Sequence, residues 1–216
     1  GFPVAIHAVE GEAVTAAARI LGDDRFLRHS GDDSALCDRI EHCSECTTNV
    51  LGLVRESGAM VVTQPGFIYW NGDRYLSRVE PKILAHLYPV DFWHSAGVSV
   101  AFSSDAPVID PNPWYGIYAA VTRCTKSQTH FSQHPANSRN SGISVLEALR
   151  MYTIGGAYAE GTEQFKGSIQ AGKLADLILI DADPTLVNEG ELKDIKTVLT
   201  MIGGKVVWER GSPSNY

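Results

Sequence analysis

The sequence has few cysteines, no excess of basic residues and no long apolar run. Only 4 of its 216 residues are Cys, too few for the disulfide framework of a small secreted protein. Acidic residues outnumber basic ones by 25 to 18, which argues against nucleic acid as a partner because phosphate binding needs clustered Lys and Arg. No apolar run approaches the roughly 18 residues that span a bilayer. We therefore expect a cytoplasmic protein with neither a nucleic-acid nor a membrane partner.

The composition is that of a globular protein. Hydrophobic residues make up 44% and charged residues 20% of the chain, which excludes disordered, collagen-like and coiled-coil proteins. Residues 3–9 already have the pattern of a buried strand, and neither an initiator Met nor a basic leader precedes them. We expect the chain to be a fragment or a processed product.

Short apolar runs alternate with segments of helical periodicity, which is typical of parallel βα units. Four such units in about 125 residues are half of a (β/α)8 barrel. The two open sheet edges of a half barrel need cover, either from a missing N-terminal half or from a second copy of the chain. The predicted strands are Val4–Val9, Asp38–His42, Met60–Gln64 and Val98–Ser103, and the predicted helices are Gly11–Leu21, Cys46–Ser57, Pro81–Ala96 and Ser144–Glu160.

The composition changes after about residue 163, which predicts a barrel part over residues 1–163 and a separate part over residues 164–216. In the second part, Gly203-Gly204 separates two alternating apolar runs, a pattern typical of a tight β-hairpin. A third apolar run, Leu177–Ile180, precedes them. We expect a small antiparallel β element there.

Two histidines and one aspartate occupy equivalent positions at the ends of predicted strands. His7 lies near the end of the first strand, His42 closes the second, and Asp105 follows the fourth. The carboxyl ends of parallel strands meet where reacting groups gather, and imidazole and carboxylate are preferred ligands of Zn²⁺. A single strand histidine is more often only hydrogen-bonded in the core. The three matching positions together predict a divalent metal site.

Six motifs follow one another over nearly the whole chain. They are Val-Ala-Ile-His-Ala-Val at 4–9, Arg-Ile-Glu-His at 39–42, Gln-Pro at 64–65, Phe-Ser-Ser-Asp-Ala-Pro-Val at 102–108, Gly-Ile-Tyr-Ala-Ala-Val-Thr-Arg at 116–123 and Gly-Lys-Leu-Ala-Asp-Leu at 172–177. In this order they resemble the C-terminal half of the amidohydrolase superfamily, and above all its YtcJ-like branch, which includes N-substituted formamide deformylases.

The resemblance implies an α/β fold: strands 5–8 of a metal-dependent (β/α)8 TIM barrel in residues 1–163 and part of a small β-sandwich in residues 164–216. It implies that His7, His42 and Asp105 bind a divalent metal, most often Zn²⁺, as one or two ions. It further implies that Asp105 is the catalytic residue that takes a proton from the attacking water, in the hydrolysis of a non-peptide C–N bond of a small-molecule substrate.

Two departures from the family's pattern leave other hypotheses open. The first-strand His-x-His pair and the strand-four ligand of the family have no counterpart, and Glu10-Gly11-Glu12 stands where relatives have Gly-Asp-Arg. One alternative is therefore a truncated, inactive barrel fragment that acts as an assembly or interaction module. Another is a thiol or zinc regulatory protein that uses Cys37 and the C-x-x-C pair Cys43 and Cys46.

Three further side chains are weaker candidates for contact with a substrate. His130 and His134 are spaced i, i+4, but Pro135 argues for a loop instead of a helix. Trp114 either packs in the core or lines the mouth of a pocket. A fourth residue, Glu41, has a different candidate role: it precedes His42 and either orients an imidazole or caps the following helix.

Overall fold

Four parallel strands form the first sheet of the protein, as the apolar runs predict. The computed structural model describes residues 3–23, 37–131 and 142–212. Neighbouring strands in the sheet are also neighbours in the sequence, so the order is β1-β2-β3-β4. The strands are β1 (Ala5–Ala8), β2 (Arg39–His42), β3 (Met60–Thr63) and β4 (Val100–Phe102).

A helix follows each strand of the first sheet, and the structure has more helices than the sequence pattern predicts. The helices over 66–78 and 113–122 were not predicted, because both segments are rich in Gly and aromatic residues, which have weak helix propensity. The α-helices of the described residues are α1 (Gly11–Leu21), α2 (Thr48–Ser57), α3 (Gly66–Arg78), α4 (Pro81–Leu84), α5 (Val90–Ser95), α6 (Pro113–Thr122), α7 (Val145–Tyr152) and α8 (Ile154–Glu160), and a 3-10 helix spans Glu189–Asp194.

Two predicted helices are wrong as single elements. The segment 81–96 is divided into α4 and α5, since Pro89 disfavours a helical Tyr88, whose φ is +48°. The segment 144–160 is divided at Thr153, which leaves the helical region with φ −110° and ψ −90°. The predicted capping box of Ser144 and Glu147 is confirmed at the start of α7.

Side chains along the first sheet alternate between two faces. On one face, Ile40 and Val61 are fully buried in the main core against the helices. On the opposite face, Met60, Val62 and Ala101 form a separate small cluster with a residue of α8. Because the strands are parallel, residues at their carboxyl ends lie along one edge of the sheet. Polar side chains on this second face can therefore meet at that edge.

A second sheet is antiparallel and contains the predicted hairpin. It comprises β5 (Leu177–Ile180), β6 (Thr197–Ile202) and β7 (Lys205–Glu209). Gly203 and Gly204 join β6 to β7 with φ values of 56° and 80°, which suit glycine in a two-residue hairpin turn. Apolar side chains stay about half exposed on this sheet, among them Ile178, Val206 and Trp208. The domain boundary at residue 163 stays a prediction. Within the described ranges, no helix has the length and hydropathy needed to cross a membrane.

Candidate metal and catalytic site

The imidazoles of His7 and His42 come together at the carboxyl edge of the first sheet. Their ring centroids are 4.4 Å apart and the rings are inclined at 74°. Strict alternation along β2 would place His42 on the same core face as Ile40, two residues earlier. His42 instead has a left-handed backbone with φ +72°, which turns its ring toward His7. Left-handed conformations of non-glycine residues cost free energy and concentrate at functional sites.

The ring of His42 is nearly buried and hydrogen-bonded to the residue that follows β3. His42 is 8% exposed, and its Nδ1 lies 2.7 Å from Gln64 Oε1. Gln64 is itself 2% exposed, and its Nε2 donates to Ser103 Oγ at 2.9 Å. The side chain of Gln64 thus connects the ends of β2, β3 and β4. The second ring nitrogen of His42, Nε2, takes no part in this bond.

Asp105 lies at the same edge, beyond the end of β4. It is half-buried and has φ +57°, so two of the three predicted ligands have a left-handed backbone. In the described part of the chain, no group of three or more His, Cys, Asp or Glu side chains is placed to hold a metal ion. The structure therefore brings His7 and His42 together but does not bring Asp105 to them. Asp105 belongs to the loop after β4, which ends at Phe102, so its distance from the imidazoles depends on the conformation of that loop.

The loop that follows His42 is held in place by a partly buried arginine. The guanidinium of Arg123 donates to the carbonyl oxygens of Tyr88 at 2.5 Å and Leu87 at 3.1 Å. The backbone N–H of Tyr88 in turn donates to Ser44 O at 2.8 Å. Burial lowers the pKa of Arg123 to about 10, a value at which the guanidinium still carries its charge at neutral pH. Arg123 thus fixes the segment that packs on the loop after β2.

The other candidates from the sequence lie outside this cluster. Trp114 is 3% exposed and belongs to the main core. His130 is exposed and lines a cavity of about 600 Å³ with Thr122, Cys124 and Glu189, and neither His7 nor His42 lines that cavity. His134 lies outside the described residues. Contact of these three side chains with a substrate stays a prediction. Glu41 pairs with Arg39 at 2.9 Å.

The cysteines do not form one cluster. Cys37 precedes β2 and Cys43 follows it, and six residues of extended chain put about 20 Å between them. Cys43 and Cys46 are buried together, 0% and 2% exposed. A hydrogen bond between the two thiols and burial raise the pKa of Cys43, and the same bond lowers the pKa of Cys46. The geometry does not support a zinc site that combines Cys37 with this pair.

The residues at the carboxyl edge have the chemistry that a divalent cation requires. Two imidazoles and one carboxylate form the N and O donor set that Zn²⁺ prefers. His42 uses Nδ1 for Gln64, which leaves Nε2 for a ligand bond. Gln64 was not predicted as a site residue, because the sequence places it only within the Gln-Pro motif at 64–65. A polar residue directly after the wholly buried strand β3 is the signal that could have identified it.

Comparisons with known proteins show the family to which this chain is related. The sequence profile of the amidohydrolase family matches residues 1–208. N-substituted formamide deformylase from Arthrobacter pascens is 31% identical over 211 residues, 97% of this chain and 37% of the deformylase. The amidohydrolase-like protein YtcJ of Bacillus subtilis (strain 168) is 25% identical over 97% of this chain and 38% of its own length.

A solved structure has the same fold. The crystal structure of an uncharacterized metal-dependent hydrolase from Pyrococcus horikoshii superposes with a TM-score of 0.69 at 26% identity, covering 88% of this chain and 36% of that one. The chain therefore spans little more than a third of the length of the relatives that it matches. On the family match and the shared fold, this chain belongs to the amidohydrolase family.

Proposed function

We propose that the chain is the C-terminal half of a metal-dependent amidohydrolase that hydrolyses a non-peptide C–N bond in a small molecule. The observation that carries this proposal is the His7 and His42 pair, whose rings are 4.4 Å apart at the carboxyl ends of adjacent parallel strands. The names of two relatives support it, since one is a deformylase of N-substituted formamides and another is a metal-dependent hydrolase.

Each residue of the site has a distinct role in this proposal. His7 and His42 hold a divalent cation, most favourably Zn²⁺, through ring nitrogens, and Asp105 is the third ligand. The bound cation supplies the Lewis acidity that activates water and polarises the scissile carbonyl. Asp105 accepts the proton that water loses on attack and passes it to the leaving nitrogen. For this, the loop after β4 has to bring the carboxylate toward the imidazoles.

The remaining half of the barrel has to come from elsewhere. The first sheet has edge strands β1 and β4, and the second sheet leaves Ile178, Val206 and Trp208 about half exposed. We propose that an N-terminal segment of a longer polypeptide supplies the other strands, further metal ligands and the second layer of a β-sandwich over residues 164–216. A second copy of the chain is the alternative source of the missing strands.

The test uses the polypeptide encoded by the complete reading frame, called the complete polypeptide below. Its zinc content is measured by mass spectrometry and its activity on a panel of N-substituted formamides. We expect one or two ions per chain and hydrolysis that stops on chelation. His42→Ala should lose metal, whereas His94→Ala should not, because the half-exposed His94 pairs with Glu147 at 2.6 Å outside the site. A complete polypeptide that retains no divalent ion contradicts the proposal.

An inactive assembly module is the second candidate function. It is favoured by one observation, namely that the described residues contain no three-ligand group. The coding sequence upstream of Gly1 separates the two candidates. A His-x-His strand there supports the enzyme, and its absence together with a metal-free complete polypeptide supports the module.

A further inference from the structure

We propose that Gln64 is a positioning residue of the metal centre, which fixes His42 in the tautomer that binds metal through Nε2. This inference rests on the proposed function. It concerns a residue that touches neither the reacting atoms nor the cation. Gln64 acts through His42, to which it is joined by a bond of 2.7 Å.

The orientation of the Gln64 amide follows from its other contacts. One amide atom lies 3.2 Å from the carbonyl oxygen of Val62, which can only accept a hydrogen bond. That atom must therefore be the nitrogen, which also donates to Ser103 Oγ at 2.9 Å. The atom that faces His42 is then the oxygen Oε1. An amide oxygen can only accept, so His42 Nδ1 has to carry the proton.

This assignment decides which nitrogen of His42 is available to a cation. In a neutral imidazole with a proton on Nδ1, the lone pair is on Nε2. A metal-binding histidine is usually held in this way by an acceptor at its other nitrogen, and loss of that acceptor weakens metal binding about 10- to 100-fold. Gln64 supplies such an acceptor without adding a charge to the site.

The position of Gln64 also explains how the unusual backbone of His42 is tolerated. His42 is turned out of the alternation of β2 by a φ of +72°. Gln64, which follows β3 and is 2% exposed, holds the turned ring and is itself held by Ser103, which follows β4. The cost of a left-handed residue is thus offset by a buried bond that the extended conformation would not make.

A purely structural role would make the contact with Ser103 as important as the contact with His42. Both contacts connect strand ends, and removal of either should then have a similar effect. If Gln64 acts through the tautomer of His42, only removal of its oxygen should change metal binding. Variants on the two sides of the amide therefore separate the two roles.

The first readout needs neither metal nor activity. The metal-free complete polypeptide is labelled with ring-¹⁵N histidine, and long-range proton–nitrogen NMR spectra identify the tautomer of His42, which is assigned with His42→Asn. We expect the Nδ1–H tautomer in the wild type and a mixture or the Nε2–H tautomer in Gln64→Met. An Nε2–H tautomer in the wild type overturns the inference without any variant at Gln64.

The second readout is the dissociation constant for zinc, measured by competition with a chromogenic chelator. Gln64→Met should bind zinc about 10- to 100-fold more weakly. Ser103→Ala, which leaves the amide oxygen of Gln64 in place, should stay within about threefold of the wild type. Gln170→Met, the same change at an exposed glutamine, is the matched control and should bind as the wild type does.

The two proposals fail in different ways. If the wild type binds zinc and Gln64→Met binds it equally tightly, or if Ser103→Ala weakens binding as much as Gln64→Met, the role of Gln64 is refuted and the metal site stands. If the wild type binds no divalent ion, the proposed function is refuted. The tautomer of His42 in the wild type and in Gln64→Met then still shows whether Gln64 controls it.

Discussion

The ring of His42 lies beside the ring of His7, although the two residues belong to opposite faces by the alternation of their strands. Ala8 and Ile40 are both buried on the core face. By alternation, His7, the neighbour of Ala8, should point away from that face, whereas His42, two residues after Ile40, should point toward it. The left-handed backbone of His42 cancels this difference and brings the centroids to 4.4 Å. One backbone angle thus creates the two-imidazole cluster.

Asp105→Asn tests the proton acceptor of the proposed reaction. Asparagine keeps the size of the side chain but cannot take a proton, so kcat of the complete polypeptide should fall about 10²- to 10⁴-fold. Steady-state kinetics at saturating zinc measure the effect. Asp110→Asn, a change at an exposed carboxylate that accepts from the backbone N–H of Asn112 at 2.8 Å, is the control. Activity of Asp105→Asn within a few-fold of the wild type would exclude this role.

Ser144→Ala tests the cap of α7 and its pH dependence. The hydrogen bond from the Ser144 hydroxyl, first among several causes, lowers the pKa of Glu147. A lowered pKa contributes stability that is present above the usual carboxyl pKa and is lost as pH falls through the folded-state value. Ser144→Ala should therefore lower the free energy of unfolding by about 1 kcal/mol at pH 7 and by less at pH 3.

Urea unfolding at the two pH values measures the effect of Ser144→Ala. Ser77→Ala is the matched control, because the Ser77 hydroxyl is exposed and donates to the Arg74 carbonyl oxygen within α3. It should change the free energy of unfolding by less than about 0.5 kcal/mol. A Ser144→Ala effect that is equal at both pH values would contradict the contribution of Glu147.

Gly116→Ala tests the packing of α6 on α7. A Cβ atom at Gly116 would lie 2.0 Å from the hydroxyl oxygen of Tyr152. Burial raises the pKa of Tyr152, so this hydroxyl is protonated and uncharged at neutral pH. Gly116→Ala should lower the free energy of unfolding by about 1–3 kcal/mol, as overpacking of a core does. Tyr152→Phe should relieve part of the cost, since the next ring atom is 3.0 Å away.

A double-mutant cycle of Gly116→Ala and Tyr152→Phe measures this coupling by thermal unfolding. Gly52→Ala in α2 is the control, because a Cβ there meets nothing within 4 Å. Gly52→Ala should raise the free energy of unfolding by up to about 1 kcal/mol, because alanine has a higher helix propensity than glycine. Additive effects in the cycle would show that the two side chains do not meet.

The double variant Cys43→Ser, Cys46→Ser tests the thiol hypothesis. Both thiols are buried, so the melting temperature should fall, but zinc content should stay that of the wild type. Mass spectrometry of the intact, metal-loaded complete polypeptide measures the zinc. Loss of zinc in this variant, with His42 unchanged, would assign the metal to the cysteines.

The sequence was sufficient for the parts of the fold that follow from local pattern. The runs at Met60–Thr63 and Val100–Phe102 are wholly buried and predict parallel strands directly. The capping box at Ser144 and the turn at Gly203-Gly204 depend on only a few residues. Helix α3 was missed because its stability comes from tertiary contacts, such as the stacking of Tyr69 on Tyr115 at 4.8 Å.

The arrangement of the site depends on contacts that are distant in the sequence. The strand-end positions of His7 and His42 were predicted, but the turn of His42 depends on long-range bonds, among them that from Cys43 N–H to Ala8 O at 2.9 Å. Gln64 and His42 are 22 residues apart, and no spacing rule pairs them. The place of Asp105 relative to the imidazoles depends on a loop whose conformation periodicity does not determine.

The most direct measurement is an anomalous difference map, recorded at the zinc absorption edge from crystals of the complete polypeptide. The account predicts a peak about 2.0–2.1 Å from a ring nitrogen of His7 and from Nε2 of His42, with the carboxylate of Asp105 at a similar distance. A map without a peak between the two imidazoles, or with zinc bound at Cys43 and Cys46, would contradict it.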